Sequence, residues 1–202
     1  MSARRFPFLT LGLLLVMSAL HLLIPDGTTL YFSAADIVRG EVWRLVTGHL
    51  AHADLEHLFW NGLGLGVLGY LIERHSMALL WVSLGSGIAA VNVLLLSPFS
   101  HLHYYCGLSG VLNALLVVAL WLEWRASRSV LVGVLAFGCV LKVTAELFLG
   151  AAIFTDISWP AYPSSHLAGL IGGLLVFCCQ PKLSNLRPVM AKDCRSPTRA
   201  SH

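Results

Sequence analysis

The sequence predicts an all-α membrane protein, built as a bundle of six transmembrane helices. Three observations support this fold class. Apolar residues make up 57% of the 202 residues and charged residues only 11%, whereas a soluble domain carries about 25% charged residues. The chain contains six separate apolar stretches. Its basic residues are distributed unequally among the connecting segments, as in a protein whose orientation is set by a membrane.

The apolar stretches differ in length and in polar content. Several are shorter than the ~20 residues that span a bilayer, and the second, fourth and sixth are the shortest and the most polar. Polar residues are tolerated inside a bundle or beside a water-filled cavity, so we expect longer outer helices around three inner ones. The stretches are residues 6–24, 57–72, 77–96, 108–122, 130–152 and 165–180.

The distribution of Lys and Arg predicts the orientation. If the N-terminus is cytoplasmic, Arg39 and Arg44 lie outside, Lys142 lies within the fifth stretch and all other basic residues lie inside, as the positive-inside rule requires. Both termini are then cytoplasmic. We expect a membrane domain at residues 1–180 and a disordered basic tail at residues 181–202. A cleaved signal peptide is an alternative for the first stretch.

Ser109 and His166 are candidate catalytic residues. Each lies at the start of a predicted inner helix that begins at the outer face, so the two side chains can share a depth just below the surface. A serine and a histidine within hydrogen-bond reach form a nucleophile and a general base. Gly169 and Gly173 are four residues apart and favour close helix contact. A packing serine and a structural histidine are the alternatives.

His57 and Asn61 are candidate residues for oxyanion stabilisation. They are four residues apart and share one face of the second predicted helix. Both side chains can donate a hydrogen bond to a developing negative charge, which acyl transfer requires. An interhelical hydrogen bond without a catalytic role is the alternative.

Four motifs in order resemble the rhomboid family of intramembrane serine proteases. The resemblance covers about residues 43–173 and implies a six-helix rhomboid-type bundle. It also implies that Ser109 is the nucleophile, that His166 is the base, and that His57, Asn61 and the Ser109 backbone N–H hold the oxyanion. No cofactor and no third carboxylate are expected. The motifs are Trp43-Arg44, His57-x-x-x-Asn61, Gly107-Leu108-Ser109-Gly110 and His166-x-x-Gly169-x-x-x-Gly173.

Asn113 departs from the family pattern. Many rhomboids have a tyrosine four residues after the nucleophile, where it packs on the catalytic histidine. Asn113 occupies that place here, so the sequence leaves open what orients His166.

The chain most resembles the rhombosortase branch of the family, through Cys-Gly-Leu-Ser-Gly-Val at 106–111 and Lys142-x-x-x-Glu146. That resemblance implies exported substrates with a C-terminal Gly-Gly motif, an apolar helix and a basic tail, and transfer of the acyl-enzyme to water or to an amine such as a lipid head group. Lys142 and Glu146 can form an ion pair in the membrane. With Asn113 they are candidates for an accessory polar site, and a purely structural pair is the alternative.

The sequence also bears on partners and location. The net charge of +3 is too small to indicate nucleic-acid binding. The histidines of the outer loops have no paired carboxylates, so no metal site is expected. We expect membrane-anchored protein substrates and a bacterial inner membrane. A general rhomboid protease, a catalytically silent client-binding protein and a small transporter are the competing interpretations.

Overall fold

The computed structural model describes residues 6–24, 26–151, 153 and 162–179. Within these the regular secondary structure is helical, and one isolated β-bridge joins Phe32 to Tyr105. The predicted tail at residues 181–202 lies outside the described residues. Short segments between α1 and α4 are a 3-10 turn at Gly27–Thr29, α2 at Ala34–Val38 and α3 at Arg44–Leu50. The long helices are α1 (Phe8–Leu23), α4 (Leu55–Glu73), α5 (Met77–Leu95), α6 (Ser109–Ser127), α7 (Val130–Leu149) and α8 (Pro163–Cys179).

Each predicted apolar stretch overlaps one of these long helices. Among the described residues, α5, α6 and α7 are long and apolar enough to cross a membrane by length and composition, and α1 and α8 are apolar but shorter. The prediction that the second and fourth stretches form short helices is wrong, because α4, α5 and α6 each contain 19 residues. Helix α6 continues past Leu122 because Glu123 and Arg125 are good helix formers although they are not apolar.

Helix α8 packs against both α5 and α6 through glycines. A Cβ on Gly172 would lie 2.9 Å from the Ser86 carbonyl oxygen of α5, and a Cβ on Gly173 would lie 2.7 Å from the Ala114 carbonyl oxygen of α6. Such separations leave no room for a side chain. The close-contact face predicted for α8 is therefore confirmed, and it reaches α5 as well as α6.

Helices α5 and α7 are enclosed to different degrees. In the most apolar 18-residue segments of α5, α6 and α7, 44%, 39% and 11% of the segment is buried. The prediction that α5 belongs to an outer ring is therefore wrong, since α8 covers it. Only Val143 and Glu146 of α7 are buried, so α7 lies at the edge of the bundle.

The carboxylate of Glu73 attaches α1 to the end of α4. It accepts hydrogen bonds from the backbone N–H groups of Leu9 and Thr10 and from the Thr10 hydroxyl, at 2.7–2.8 Å. These N–H groups belong to the first turn of α1, where no intrahelical acceptor exists. A buried charge thus caps one helix from another.

The connection between α1 and α4 is tied to the segment that precedes α6. Phe32 and Tyr105 exchange two backbone hydrogen bonds of 2.9 and 3.1 Å, and the Gly107 N–H donates to the Gly48 carbonyl at 2.9 Å. Arg44 stabilises this connection because its buried guanidinium binds Glu41 at 2.7 Å and also the carbonyl of Tyr31. These bonds fix the backbone just before Ser109.

Candidate active site

Ser109 is the first residue of α6, and the backbone before it is held in an unusual conformation. Gly107 has φ +110°, which a residue with a side chain rarely adopts. A Cβ on Gly107 would also overlap the ring of His57. The glycine therefore allows α4 and the start of α6 to approach closely, and Ser109 is left partly exposed.

His166 lies in the first turn of α8, opposite Ser109. Its Nε2 is 3.1 Å from the Ser109 Oγ, which is within hydrogen-bond reach for a nucleophile and its base. The neighbouring close contact explains this distance, since a Cβ on Gly169 would overlap the Gly110 carbonyl oxygen. The two side chains are thus in contact, and their depth below the membrane surface stays a prediction.

The other ring nitrogen of His166 contacts a carboxylate. Nδ1 lies 2.8 Å from the Glu146 Oε2, and both side chains are buried. The expectation that no carboxylate accompanies the serine and histidine is therefore wrong. The spacing of Lys142 and Glu146 marks Glu146 in the sequence as a polar residue with a partner. The sequence does not show that Glu146 contacts His166 rather than lipid or substrate.

Glu146 accepts two further hydrogen bonds. The Lys142 ammonium donates to its Oε1 at 2.6 Å, which confirms the predicted ion pair, and the Ile153 backbone N–H donates to the same oxygen at 3.2 Å. The buried carboxylate thus contacts three polar groups. Burial of a charge is costly unless it is paired and hydrogen-bonded, and this one is both.

His57 and Asn61 lie side by side on α4, beneath Gly107. Both are buried, at 5% and 4% exposure. The Asp54 carboxylate caps α4 by accepting from the His57 backbone N–H at 2.7 Å. Among the described residues, the Asn61 amide nitrogen and the His57 Nδ1 have no hydrogen-bond partner. A buried donor without a partner next to a candidate nucleophile is available to a developing oxyanion.

Asn113 contacts the nucleophile's own helix. Its amide donates to the Ser109 carbonyl oxygen at 2.9 Å, and it packs against the backbone of Gly169. The structure gives it no hydrogen bond to Lys142 or Glu146, so the three residues grouped as an accessory polar site do not form one cluster of hydrogen bonds.

Two residues just before Ser109 are removed from water. Tyr105 is buried and packs edge-on to His49 at 5.6 Å between ring centroids. Burial raises the pKa of the Cys106 thiol to about 12. This cysteine is therefore protonated at neutral pH and does not compete with Ser109 as a nucleophile.

Comparison with known proteins decides the family. A rhomboid domain model matches residues 39–180. The chain belongs to the rhomboid family. Its relatives include YdcA of Bacillus subtilis (strain 168), named as a candidate rhomboid protease, which is 31% identical over 72% of this chain and 71% of its own length. Rhomboid protease GluP of the same organism is 30% identical over 68% of this chain. Rhomboid-like protein 15 of Arabidopsis thaliana is 29% identical over 83% of this chain.

The matches cover unequal shares of these relatives. This rhomboid spans only 26% of GluP and 45% of the Arabidopsis protein. The family and the apolar helices nevertheless identify an integral membrane protein, and the protease relatives support a hydrolase of the intramembrane serine protease class. Rhomboid proteases act on membrane protein substrates within the bilayer.

Proposed function

We propose that this rhomboid is an active serine endopeptidase that cleaves membrane-anchored proteins near the outer face through Ser109 and His166. The single observation that supports this most is the 3.1 Å contact between the Ser109 Oγ and the His166 Nε2. As Oγ attacks the peptide carbonyl carbon, its proton passes to Nε2. His166 then gives that proton to the leaving amine as the C–N bond breaks, and an ester on Ser109 remains.

His57 and Asn61 would hold the oxyanion that forms during this attack. Their support is the unpartnered Asn61 amide nitrogen and the position of both side chains against Gly107, two residues before Ser109. Donors that are already held beside the nucleophile need little reorganisation when charge develops, which is why such groups lower the barrier.

The proposed orientation places this chemistry on the outer side of the membrane. Six spanning helices within a domain of residues 1–180, with cytoplasmic N- and C-termini, agree with the distribution of basic residues. The proposed compartment is a bacterial inner membrane, with residues 181–202 as a cytoplasmic tail.

We propose that this chain belongs to the rhombosortase branch of the family, which implies a particular class of substrates. Its support is the 106–111 motif together with the Lys142–Glu146 pair. The substrates would be exported proteins with a C-terminal Gly-Gly motif, an apolar helix and a basic tail. Glycine lowers the cost of unwinding a substrate helix. The ester on Ser109 would then be attacked either by water or by the amine of a lipid head group, with His166 taking the proton of the attacking group. His166 would pass that proton to the Ser109 oxygen as the ester C–O bond breaks.

The main alternatives make different predictions. A general rhomboid protease of single-pass proteins would cut reporters that lack the Gly-Gly motif. A catalytically silent client-binding protein would bind reporters and cut none. The contact between Ser109 and His166 favours activity over the silent alternative.

Active-site labelling tests the catalytic proposal without knowledge of the substrate. A fluorophosphonate should modify Ser109 in the wild type and should fail to label Ser109→Ala. Ser83→Ala is the matched control, because Ser83 is a buried serine of α5 whose hydroxyl donates to the Leu79 carbonyl, and it should label as the wild type does. Equal labelling of Ser109→Ala would contradict the assignment of the nucleophile.

A reporter with a Gly-Gly motif, an apolar helix and a basic tail tests the branch. Wild type should cleave it, and Ser109→Ala and His166→Ala should not. Intact mass distinguishes hydrolysis from attachment of an amine. A matched reporter with Leu-Leu in place of Gly-Gly should remain uncut, and its cleavage at an equal rate would favour the general rhomboid protease.

A further inference from the structure

We propose that Glu146 is the positioning residue for His166, so that Ser109, His166 and Glu146 act as a triad rather than a serine–histidine pair. This inference rests on the proposed protease function and goes beyond it. The Lys142–Glu146 pair then acts on the reacting serine through His166 and does not form a separate polar site.

The hydrogen bonds fix the tautomer of the imidazole. An ionised carboxylate can only accept hydrogen bonds, so the contact of 2.8 Å between the Glu146 Oε2 and the His166 Nδ1 requires a proton on Nδ1. In the neutral ring the other nitrogen, Nε2, then carries a lone pair. That lone pair faces the Ser109 hydroxyl at 3.1 Å, as a general base requires.

The surroundings of Glu146 favour its ionised form. The Lys142 ammonium and the Ile153 N–H donate to Oε1, which leaves Oε2 for His166. The side chain of Lys142 is 33% exposed while that of Glu146 is 1% exposed. The cation therefore pairs with the carboxylate from the edge of the site and favours its ionised form. The ionised carboxylate lies beside the imidazole, where it stabilises the imidazolium that forms during attack.

A purely structural role is the competing explanation. Helix α7 has few buried residues, and Glu146 is one of two. The bond from Glu146 to His166 therefore also attaches α7 to α8. A test must separate attachment of the helix from orientation of the ring.

Among the described residues, few charged or titratable groups face His166 from the helices packed against it, so a pH profile can be interpreted. Helix α7 contributes Lys142 and Glu146, and Cys139 lies about one turn beyond Lys142, on the side away from Glu146. Helix α5 has no charged residue, and α6 carries Glu123 and Arg125 only at its far end. Tyr105 lies in the segment just before α6.

Glu146→Gln is the first test variant, because it removes the charge at almost constant volume. We expect kcat for reporter cleavage to fall about 10²–10⁴-fold, since an amide can donate to Nδ1 and stabilise the wrong tautomer. KM should change little. The acidic limb of the kcat/KM profile should move to lower pH, because the imidazolium loses its negative neighbour. Glu146→Asp should recover part of kcat.

Glu123→Gln is the matched control. Glu123 pairs with Arg74 at the other end of α6, so the variant removes an ion pair from the same bundle but not from the site. Its kcat and its pH profile should equal those of the wild type. If Glu146→Gln also keeps the wild-type kcat, the triad is refuted.

The double variant Lys142→Met/Glu146→Leu covers the case in which Glu146→Gln fails to fold. Replacing both charges with apolar residues often preserves or raises stability. A folded double variant whose kcat stays at least 10²-fold below that of the wild type supports the triad, and one with wild-type kcat refutes it. Fluorophosphonate labelling of Ser109 in the wild type separates the triad from the protease function. Absence of labelling would overturn the protease function itself. Labelling together with wild-type kcat in the folded variants would overturn only the triad.

Discussion

At the scale of single residues, Asn61 is distinguished by what its amide lacks. Its nitrogen is buried and has no partner among the described residues, whereas the amide nitrogen of Asn92, also buried, donates to the Leu45 carbonyl at 2.8 Å and its oxygen binds His49 at 3.1 Å. A buried amide without a partner costs free energy in the resting protein. This cost is explained if the amide meets its acceptor only when the oxyanion forms.

Asn61→Ala should therefore lower kcat for reporter cleavage by about 10²–10³-fold with little change in KM. Its stability should hold, because no hydrogen bond among the described residues is lost. Asn92→Ala is the matched control and should show the reverse, a loss of about 1–3 kcal/mol of stability with kcat unchanged in the folded fraction. Thermal unfolding in detergent and cleavage in liposomes measure the two effects, and a wild-type kcat in Asn61→Ala would remove it from the site.

At the scale of secondary-structure elements, the distance between the catalytic residues depends on how closely α8 approaches α6. The approach is closest at Gly169, three residues after His166, where a Cβ would overlap the Gly110 carbonyl oxygen. Any side chain there must push the two helices apart. His166 and Ser109 lie beside this contact, so their separation would grow with the displacement.

Gly169→Ala should therefore lower kcat about 10²-fold, since a misplacement of about 1 Å in a reacting geometry can have that effect. Gly138→Ala on α7 is the control, because a Cβ there meets nothing within 4 Å and alanine is the better helix former by about 0.5–1 kcal/mol. Cleavage assays and thermal unfolding of both variants check this, and normal cleavage by Gly169→Ala would show that helix separation does not limit the reaction.

The same elements show what the sequence could and could not predict. Helix positions were predictable because a bilayer requires continuous apolar stretches, and the contact of Ser109 with His166 was predictable because both begin helices beside glycines. The role of Glu146 was not, because the rotation of α7 about its axis decides where that side chain points. Apart from Lys142, Thr144 and Glu146, the helix is almost entirely apolar, so its pattern does not show which side of α7 faces α8. The family resemblance also led to the expectation of no carboxylate.

At the scale of the whole molecule, two buried histidines fasten the connection between α1 and α4 to the bundle. His49 binds Asn92 of α5, and the His52 carbonyl contacts the His21 ring of α1 at 3.3 Å. Removal from water lowers the pKa of His49 to about 4. It also lowers the pKa of His52 to about 3, with a further contribution from the neighbouring His57. Both rings are therefore neutral in the folded protein at neutral pH.

Acid should therefore destabilise this protein well above the range in which its carboxylates titrate. Below pH 6.5 the unfolded chain binds protons on both histidines and the folded chain does not, so stability falls as pH decreases towards 4. The expected loss by pH 5 is about 2 kcal/mol for each histidine. Thermal unfolding in detergent from pH 7.5 to 5 measures it. His49→Gln should flatten the slope, because glutamine has no titrating group, whereas His103→Gln, in an exposed loop, should leave it unchanged. If the wild-type unfolding temperature stays constant across this range, the buried histidines do not couple the outer connection to pH.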